Sequence, residues 1–376
     1  MTVLYTYSRT FATNYLITIV LMEPKLHRLP LGRDLESKNV LKALPRAHAA
    51  LAELKGLASS IPNHQILINT LALQEAKDSS AIENIITTHN ELFSLDASNP
   101  LSSSAKEVQN YRTALELGFN LLKDKGFIQI RDLNHIQSVV VSNNSGIRKL
   151  PGTALRNSTT GKVIYEPPQD HFEITELLSN LEAYINDPSL DDFDPLSKMA
   201  IIHYQFESIH PYYDGNGRTG RILNILYLIL SDLQQLPVLY LSRYIIRNKR
   251  DYYRLLQEVR LSDNWEEWLV YMIRGIEETA NETIALISEL KKLMHEMKHQ
   301  LRSSYKFYSQ ELLNNLFKYP YTKIEYIMND LGVSRITATN YLNSMAADGI
   351  LTKQKFGKTN YYVNQSLFEL LTQKGF

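Results

Sequence analysis

Twelve residues constrain this chain more than any other stretch: His210-Pro211-Tyr212-Tyr213-Asp214-Gly215-Asn216-Gly217-Arg218-Thr219-Gly220-Arg221. Before them, Asp194-Pro195 reads as a helix start, a capping acid followed by proline in the first turn. Leu196, Ala200, His203, Glu207 and His210 then fall at helical spacing on one face, and Pro211 stops the helix. After them, Ile222 to Leu230 is apolar on nearly every side, the mark of a helix buried in a core. The twelve residues therefore form a glycine-rich loop between two helices. Backbone N–H groups at a helix N-terminus attract anions, and glycines let the backbone approach a ligand closely. Two arginines three residues apart can grip phosphate oxygens, and one acid can hold a metal against them. The stretch is suited to a polyphosphate with a titratable base beside it. An ordinary turn with incidental charge would leave unexplained why a histidine, an acid, an asparagine and two arginines converge there.

These residues resemble the signature of the Fic family, His-Pro-Phe-x-Asp/Glu-Gly-Asn-Gly/Lys-Arg-x-x-Arg. The match runs position by position except at Tyr212, where the family usually has Phe. Tyrosine keeps the aromatic anchor and adds a hydroxyl that needs a partner or water.

The chain has 376 residues, enough for two or three domains with real cores. Lys plus Arg and Asp plus Glu both number 40, so overall charge points to neither nucleic acid nor membrane. With no cysteine, disulfides, thiolate metal sites and a cysteine nucleophile are excluded, which fits a cytoplasmic location. Tyr15 to Met22 is apolar and follows Arg9, but it is too short to span a bilayer and no small-x-small cleavage site follows. No membrane association is expected. Residues 1–21 read as an upstream extension, with Met22 the natural start.

Helical patterns run from Arg46 to Leu57 and from His64 to Ala76. Asp78 to Ile85 reads as a separate short helix with Asp or Ser at its cap, and Glu83 on its own would be a solvated residue. Thr88-His89-Asn90-Glu91 looks like a capping box, and Asp96 to Ser104 like a linker. Helices are expected from Ala105 to Lys123, ended by Gly126, and from Asp132 to Val141. Gly146 to Pro168 has the glycines, prolines and strand composition of a β-hairpin, with its turn at Asn157 to Gly161. Further helices are expected from Phe172 to Ile185 and from Tyr244 to Val259. Trp265 to about His299 reads as a long linker helix offering a coiled contact, or simply solvated support.

The tail, 305–376, is its own module. Helices Gln310 to Phe317, Thr322 to Asp330 and Arg335 to Ala347 precede two strand-like stretches, Ile350 to Thr352 and Tyr361 to Val363. Lys355-Phe356-Gly357-Lys358 joins them as a hairpin. Three helices and a two-stranded wing make the winged helix-turn-helix pattern. From Leu301 to Phe376 there are nine basic and five acidic residues, a net of +4. That charge permits DNA binding, while docking of a protein or a second copy of the chain is equally open.

The resemblance implies a mostly α fold: a Fic helical core over 105–262 with a β-hairpin flap, preceded by helices over 22–104. It is followed by a linker helix over 263–304 and the winged helix-turn-helix domain. It implies protein adenylylation, transfer of AMP from ATP with Mg²⁺ to a Ser, Thr or Tyr hydroxyl of a target protein held along the flap 146–168 by strand addition. Removal of AMP is the alternative, and a DNA-binding regulator with a vestigial Fic domain a second one. By the same resemblance His210 is the general base, its usual pKa near 6.5 suiting proton removal at neutral pH. Asp214 holds Mg²⁺ (otherwise it forms an Asx turn). Gly215, Asn216 and Gly217 cradle phosphate by backbone N–H, with the Asn216 side chain donating as well. Arg218 and Arg221 bind the β and γ phosphates (otherwise they form surface ion pairs). Tyr252 and Tyr253 resemble tyrosines lining the adenine pocket, although paired tyrosines on a helix are commonly core. Arg260 stands where some relatives have an adenosine-contacting Asn. Phosphate-transferring members tend to have Ala and Lys in place of Gly215 and Gly217, which favours AMP. A zinc site at His203, Glu207 and His210 lacks a second ligand cluster, so His203 reads as a packed core histidine. No Walker-type phosphate loop is present. Finally, Ser79-Ser80-Ala81-Ile82-Glu83-Asn84 resembles the family's inhibitory motif, Ser/Thr-x-x-x-Glu-Gly/Asn, which implies that Glu83 pairs with Arg221 and hinders ATP.

Overall fold

Short polar side chains open most of the helices. In the computed structural model, which describes residues 26–61, 63–88, 102–156, 160–356 and 359–373, Ser37 caps α1 (Lys38–Ser59) and Asn63 caps α2 (His64–Ile82). Ser102 caps α3 (Ser103–Lys125), which ends at Gly126 in the left-handed conformation a helix C-terminus favours, φ +76°. Next come α4 (Ile130–Val141), the short antiparallel strands β1 (Leu155–Arg156) and β2 (Val163–Tyr165), and α5 (His171–Asn186), capped by Asp170. As Asp194-Pro195 predicts, α6 (Pro195–Ile209) starts there, with the Asp194 carboxylate accepting from the Leu196 N–H at 2.9 Å. Then follow α7 (Asn216–Leu230), α8 (Leu241–Arg247), α9 (Lys249–Ser262) and α10 (Trp265–Ser304).

The core is built around α6. Every residue from Leu196 to Ile209 is buried, so the single apolar face read from its spacing is too narrow; α5, α7 and α10 cover it from several sides. The α10 residue Trp268 is fully buried and donates its indole N–H to the Ala200 carbonyl at 2.9 Å. Far from being solvated, α10 runs along α1 and α6 and carries core residues from Trp265 to Leu301. On the other side of the core, α2 packs on α3 and α8, and α4 packs on α3 and α7.

Several sequence-based boundaries shift. The first helix starts eight residues earlier than its alanine-rich stretch suggests, because Ser37 supplies the cap. The expected break between His64–Ala76 and Asp78–Ile85 does not exist: α2 is continuous, Asp78 lies within it, and Ser79 and Ser80 are buried. Those two serines looked like cap residues but pack inward against the core. Conversely, Tyr244 to Val259 is interrupted at Asn248, giving α8 and α9. Residues 1–21, all but Thr88 of the capping box at 88–91, most of the linker at 96–104 and the tips of both hairpins lie outside the described residues.

The tail holds the three expected helices and the expected hairpin, with a short extra strand, β3, before the second helix: α11 (Gln310–Lys318), β3 (Tyr321–Thr322), α12 (Ile324–Leu331), α13 (Arg335–Ala347), β4 (Thr352–Phe356) and β5 (Thr359–Val363). The strands form an antiparallel sheet in the order β3-β5-β4. The sequence reading missed a last helix, α14 (Gln365–Gln373), whose start is signalled by Asn364: its Oδ1 accepts from the Leu367 N–H at 3.1 Å. This unit sits against α2. Gln74 Nε2 donates to the Leu371 carbonyl at 3.0 Å, and Asn69 Nδ2 donates to the Lys318 carbonyl at 3.5 Å.

Candidate active site

The loop between α6 and α7 is stapled from within. Asn216 Oδ1 accepts from the Tyr212 N–H and Asn216 Nδ2 donates to the Tyr212 carbonyl, both at 2.8 Å. The Asn216 side chain, expected to donate to a phosphate, here bonds both backbone groups of Tyr212. It is buried and committed to the loop's own backbone, so its part is to fix the turn. Gly215 takes φ +80° at the start of α7, and a Cβ there would come within 2.7 Å of Val141 Cγ1. Only glycine meets both demands cheaply. Tyr212 is buried, and its hydroxyl finds the partner it needs in Asn134 Oδ1 at 2.8 Å. Asp214 remains exposed, with Oδ1 accepting from the Gly215 N–H at 2.6 Å and its carbonyl accepting from Gln137 at 2.9 Å.

His210 ends α6 in the left-handed conformation, φ +48°. Arg148, which the sequence reading overlooked, locks it there. The Arg148 guanidinium is buried and donates to the carbonyls of His210 (2.8 Å), Ile209 (3.3 Å) and Pro168, while its backbone N–H donates to the Pro211 carbonyl at 2.9 Å. Free carbonyls at a helix C-terminus attract a cation, and among the described residues no carboxylate pairs with this one. Arg148 thus joins the base of the flap to the loop. Burial, then the Arg148 and Arg260 guanidiniums, push the His210 imidazole down to about 4. At neutral pH the ring is uncharged and able to accept a proton. Its Nδ1 is buried, and the nearby Glu207 backbone carbonyl offsets part of the lowering.

Both loop arginines are engaged by carboxylates of this chain. Arg218, itself buried, pairs with Glu107 of α3 at 2.9 Å and more distantly with Asp214 at 3.4 Å. Arg221 donates through Nη2 to Glu83 Oε1 at 2.9 Å and to the Ser79 carbonyl at 3.0 Å, and through Nε to Ser79 Oγ at 2.8 Å. Glu83 caps the C-terminus of α2, so α2 reaches the start of α7 through this ion pair. Burial alone would push the Glu83 carboxyl up. Arg221, helped by Arg218 and Lys249, more than offsets that and holds it below the usual carboxylate range. Its Oε1 lies so close over Gly217 that a Cβ there would collide with it. The carboxylate therefore stands over the backbone that would cradle a phosphate. Glu207 of α6 is a second acid near Arg221: burial pushes it up to about 7, and its Oε1 has no partner.

Glu75 anchors α2 deeper in the core. Its carboxyl accepts from the Tyr111 hydroxyl of α3 at 2.9 Å and from Ser242 of α8, and burial pushes it up to about 7 against those bonds.

Of the two tyrosines, only Tyr253 is exposed. Tyr252 is buried, hydrogen-bonded through its hydroxyl to His203 Nε2 at 2.9 Å, and packed against Trp268. His203 in turn lies 3.0 Å from the Asn224 amide, and burial pushes it down to about 3, as befits a packed core histidine rather than a metal ligand. Among the described residues no group of three His, Cys, Asp or Glu is placed to hold a metal unaided. The flap is a short ladder pairing Arg156 with Val163 and Leu155 with Tyr165. Tyr165 is buried, donates to the Ser208 carbonyl at 2.8 Å and carries the Arg260 guanidinium over its ring at 3.8 Å. Arg260 is thereby occupied with the flap. Gln257 of α9 donates to the Ile164 carbonyl at 3.2 Å, a second tie between flap and core.

No helix among the described residues is long and apolar enough to cross a membrane. Three family models match the chain: Fic/DOC family N-terminal over residues 41–120, Fic/DOC family over 127–228, and the C-terminal domain of SoFic-like protein adenylyltransferase over 293–367. The chain is 33% identical over 90 residues to protein adenylyltransferase fic-1 of Caenorhabditis briggsae, covering 24% of this chain and 17% of that protein. It is 26% identical over 197 residues to protein adenylyltransferase Fic of Drosophila mojavensis, covering 50% and 35%. The chain thus spans between about a sixth and a third of the length of these curated relatives. Among solved structures, a Fic family protein from Desulfovibrio desulfuricans G20 shares the fold with a TM-score of 0.56 at 19% identity, covering 87% of this chain and 96% of that one. A fragment of Fic-1 from Caenorhabditis elegans aligns with a TM-score of 0.50 at 21% identity, covering 68% and 73%. The chain thus carries a Fic/DOC domain, preceded by the N-terminal region found in that family and followed by a SoFic-like C-terminal domain.

Proposed function

We propose that this protein transfers AMP from ATP to a hydroxyl of a target protein, and that Glu83 holds the reaction in check. The observation that carries the reading is His210, at the end of α6, set beside the glycine-lined N-terminus of α7. The relatives' name, protein adenylyltransferase, agrees with it. In this reading the triphosphate lies over Gly215 to Gly217, with Arg218 and Arg221 on its β and γ phosphates. The exposed Asp214 carboxylate fits a Mg²⁺ held jointly by one acid and the substrate's phosphates, an ion that would neutralise phosphate charge. The target chain adds along β2, where strand pairing gives affinity without demanding a particular sequence. His210 Nε2 takes the proton of the hydroxyl as its oxygen bonds to the α-phosphorus. The bond from that phosphorus to the bridging oxygen breaks, and pyrophosphate leaves. The loop amides and the two guanidiniums stabilise the developing charge, the largest contribution in such transfers.

Arg221 cannot serve Glu83 and a γ-phosphate at once. While the 2.9 Å pair persists, ATP is repelled or seated with its α-phosphate misplaced, and an error of about 1 Å can cost on the order of a hundredfold in rate. Removal of AMP is a second reading, favoured by the same ionised and partly exposed Glu83 carboxylate, which could orient a water.

Incubation with Mg²⁺ and either α- or γ-labelled ATP tests the assignment. Protein-bound label should come from the α-phosphate alone and vanish in His210→Ala. Label from the γ-phosphate, or transfer at the wild-type rate by folded His210→Ala, would overturn it.

A further inference from the structure

The winged helix-turn-helix unit seats one side on α2, through Lys318 of α11 and Leu371 of α14. Neither α13 nor the wing takes part in those bonds, and both present side chains to solvent. On α13, Arg335 keeps 67% of its side chain exposed and Ile336 is 75% exposed; Asn340, Asn343 and Ser344 are exposed as well. On β4, Lys353, Gln354 and Lys355 are exposed. Lys353 Nζ donates to Asn343 Oδ1 at 2.9 Å, so wing and helix form one continuous surface.

The charge of this surface is one-sided. Neither α13 nor β4 nor β5 contains an acidic residue, while Arg335, Lys353 and Lys355 are basic. The acids nearest in sequence are otherwise engaged. Asp330 accepts from Asn315 Nδ2 at 2.8 Å and pairs with Lys318 at 3.6 Å, and Asp348 accepts from the Tyr305 hydroxyl at 2.5 Å; farther off, Glu325 makes a solvent-exposed pair with Arg335 at 3.3 Å, of the kind that contributes little and is easily exchanged for a phosphate. The whole chain carries no net charge, so this local excess is not a reflection of overall composition.

We propose that α13 and the β4–β5 wing form a binding face for duplex DNA. The first turns of α13 would enter the major groove, where a helix presents its N-terminal residues to base edges. Ile336 suits a thymine methyl and Asn340 an adenine edge. Arg335, Lys353 and Lys355 neutralise backbone phosphates on either side. This face is separate from the AMP-transfer site, and its test needs no ATP.

The test is fluorescence anisotropy of the full chain with a labelled mixed-sequence duplex of about 20 base pairs, titrated from about 50 to 200 mM salt. Three phosphate contacts predict a slope of log K against log salt of about −3 or steeper. The triple variant Arg335→Ala, Lys353→Ala, Lys355→Ala should lose most of that slope. The charge-keeping triple Arg335→Lys, Lys353→Arg, Lys355→Arg should keep it, separating charge from folding. No binding of the duplex at the low-salt end, as expected if the face instead serves a protein, would overturn the proposal. So would a wild-type slope in the alanine variant, which would put the contacts elsewhere.

Discussion

His210 is held in an uncommon backbone conformation by bonds that do not depend on any ligand. The Arg148 guanidinium takes the last carbonyls of α6, and the His210 N–H donates to the Phe206 carbonyl at 3.0 Å. A non-glycine residue with positive φ costs on the order of 1–3 kcal/mol and persists only where its surroundings over-determine it. The same arrangement lowers the ring's pKa from 6.5 to about 4, which has a consequence for pH. A histidine lowered in the folded state contributes stability as the neutral ring. That contribution is fully present above about pH 6.5 and is lost as pH falls through about 4. The activity should follow the same group. A kcat/KM profile for AMP transfer should be flat where a free histidine would titrate and fall only toward pH 4; an inflection near 6.5 assigned to His210 would show that the ring is not buried as described. The tyrosine pair carries a different lesson. Tyr252 and Tyr253 are adjacent in sequence, yet only Tyr253 stays exposed, because a helix turns neighbouring residues about 100° apart.

At the scale of elements, the flap is two short strands tied to the core by side chains of their own and of α9. Tyr165 donates to the Ser208 carbonyl, Arg260 covers its ring, and Gln257 reaches the Ile164 carbonyl. Val163 pairs with Arg156 in a ladder that proline would interrupt by removing an N–H donor. Val163→Pro should therefore reduce modification of a target protein several-fold while leaving ATP affinity, measured by calorimetry, within about twofold. Equal losses in both would mean that the hairpin shapes the nucleotide site instead. Much of this layer was legible in the sequence. Asp194-Pro195, Gly126 and the Gly146 to Pro168 punctuation each act locally, so the elements they mark appear where expected. What was hidden depends on distant partners. Nothing near Arg148 announces that it binds carbonyls more than sixty residues away. Ser79 and Ser80 have the composition of a cap, and only burial against the core reveals that α2 passes through them. Asn216 lies inside a recognisable motif, but its partner, the Tyr212 backbone, becomes visible only once the loop is closed.

Across the whole molecule, α2 is the element on which the parts meet. Glu83 at its C-terminus pairs with Arg221, Glu75 ties it to α3 and α8, and Gln74 receives the tail through the Leu371 carbonyl. Gln74→Ala would strand that buried carbonyl, at a cost of roughly 1–3 kcal/mol. Loosening α2 in this way should lower the denaturant midpoint and raise basal AMP incorporation; lower stability with unchanged incorporation would show that the tail does not brace the inhibitory contact. The central claim, that an AMP-transfer site is held off by one carboxylate 138 residues from its arginine, has a more direct test. Wild type, Glu83→Gly, and Glu83→Gly combined with His210→Ala are incubated with Mg²⁺ and α-labelled ATP, and label is counted on the enzyme itself and on proteins of a lysate. Glu83→Gly should incorporate at least about tenfold more label than wild type, and the double variant none, since freeing Arg221 restores the placement on which transfer depends. Incorporation by Glu83→Gly at or below the wild-type level, with the protein folded, would contradict the account.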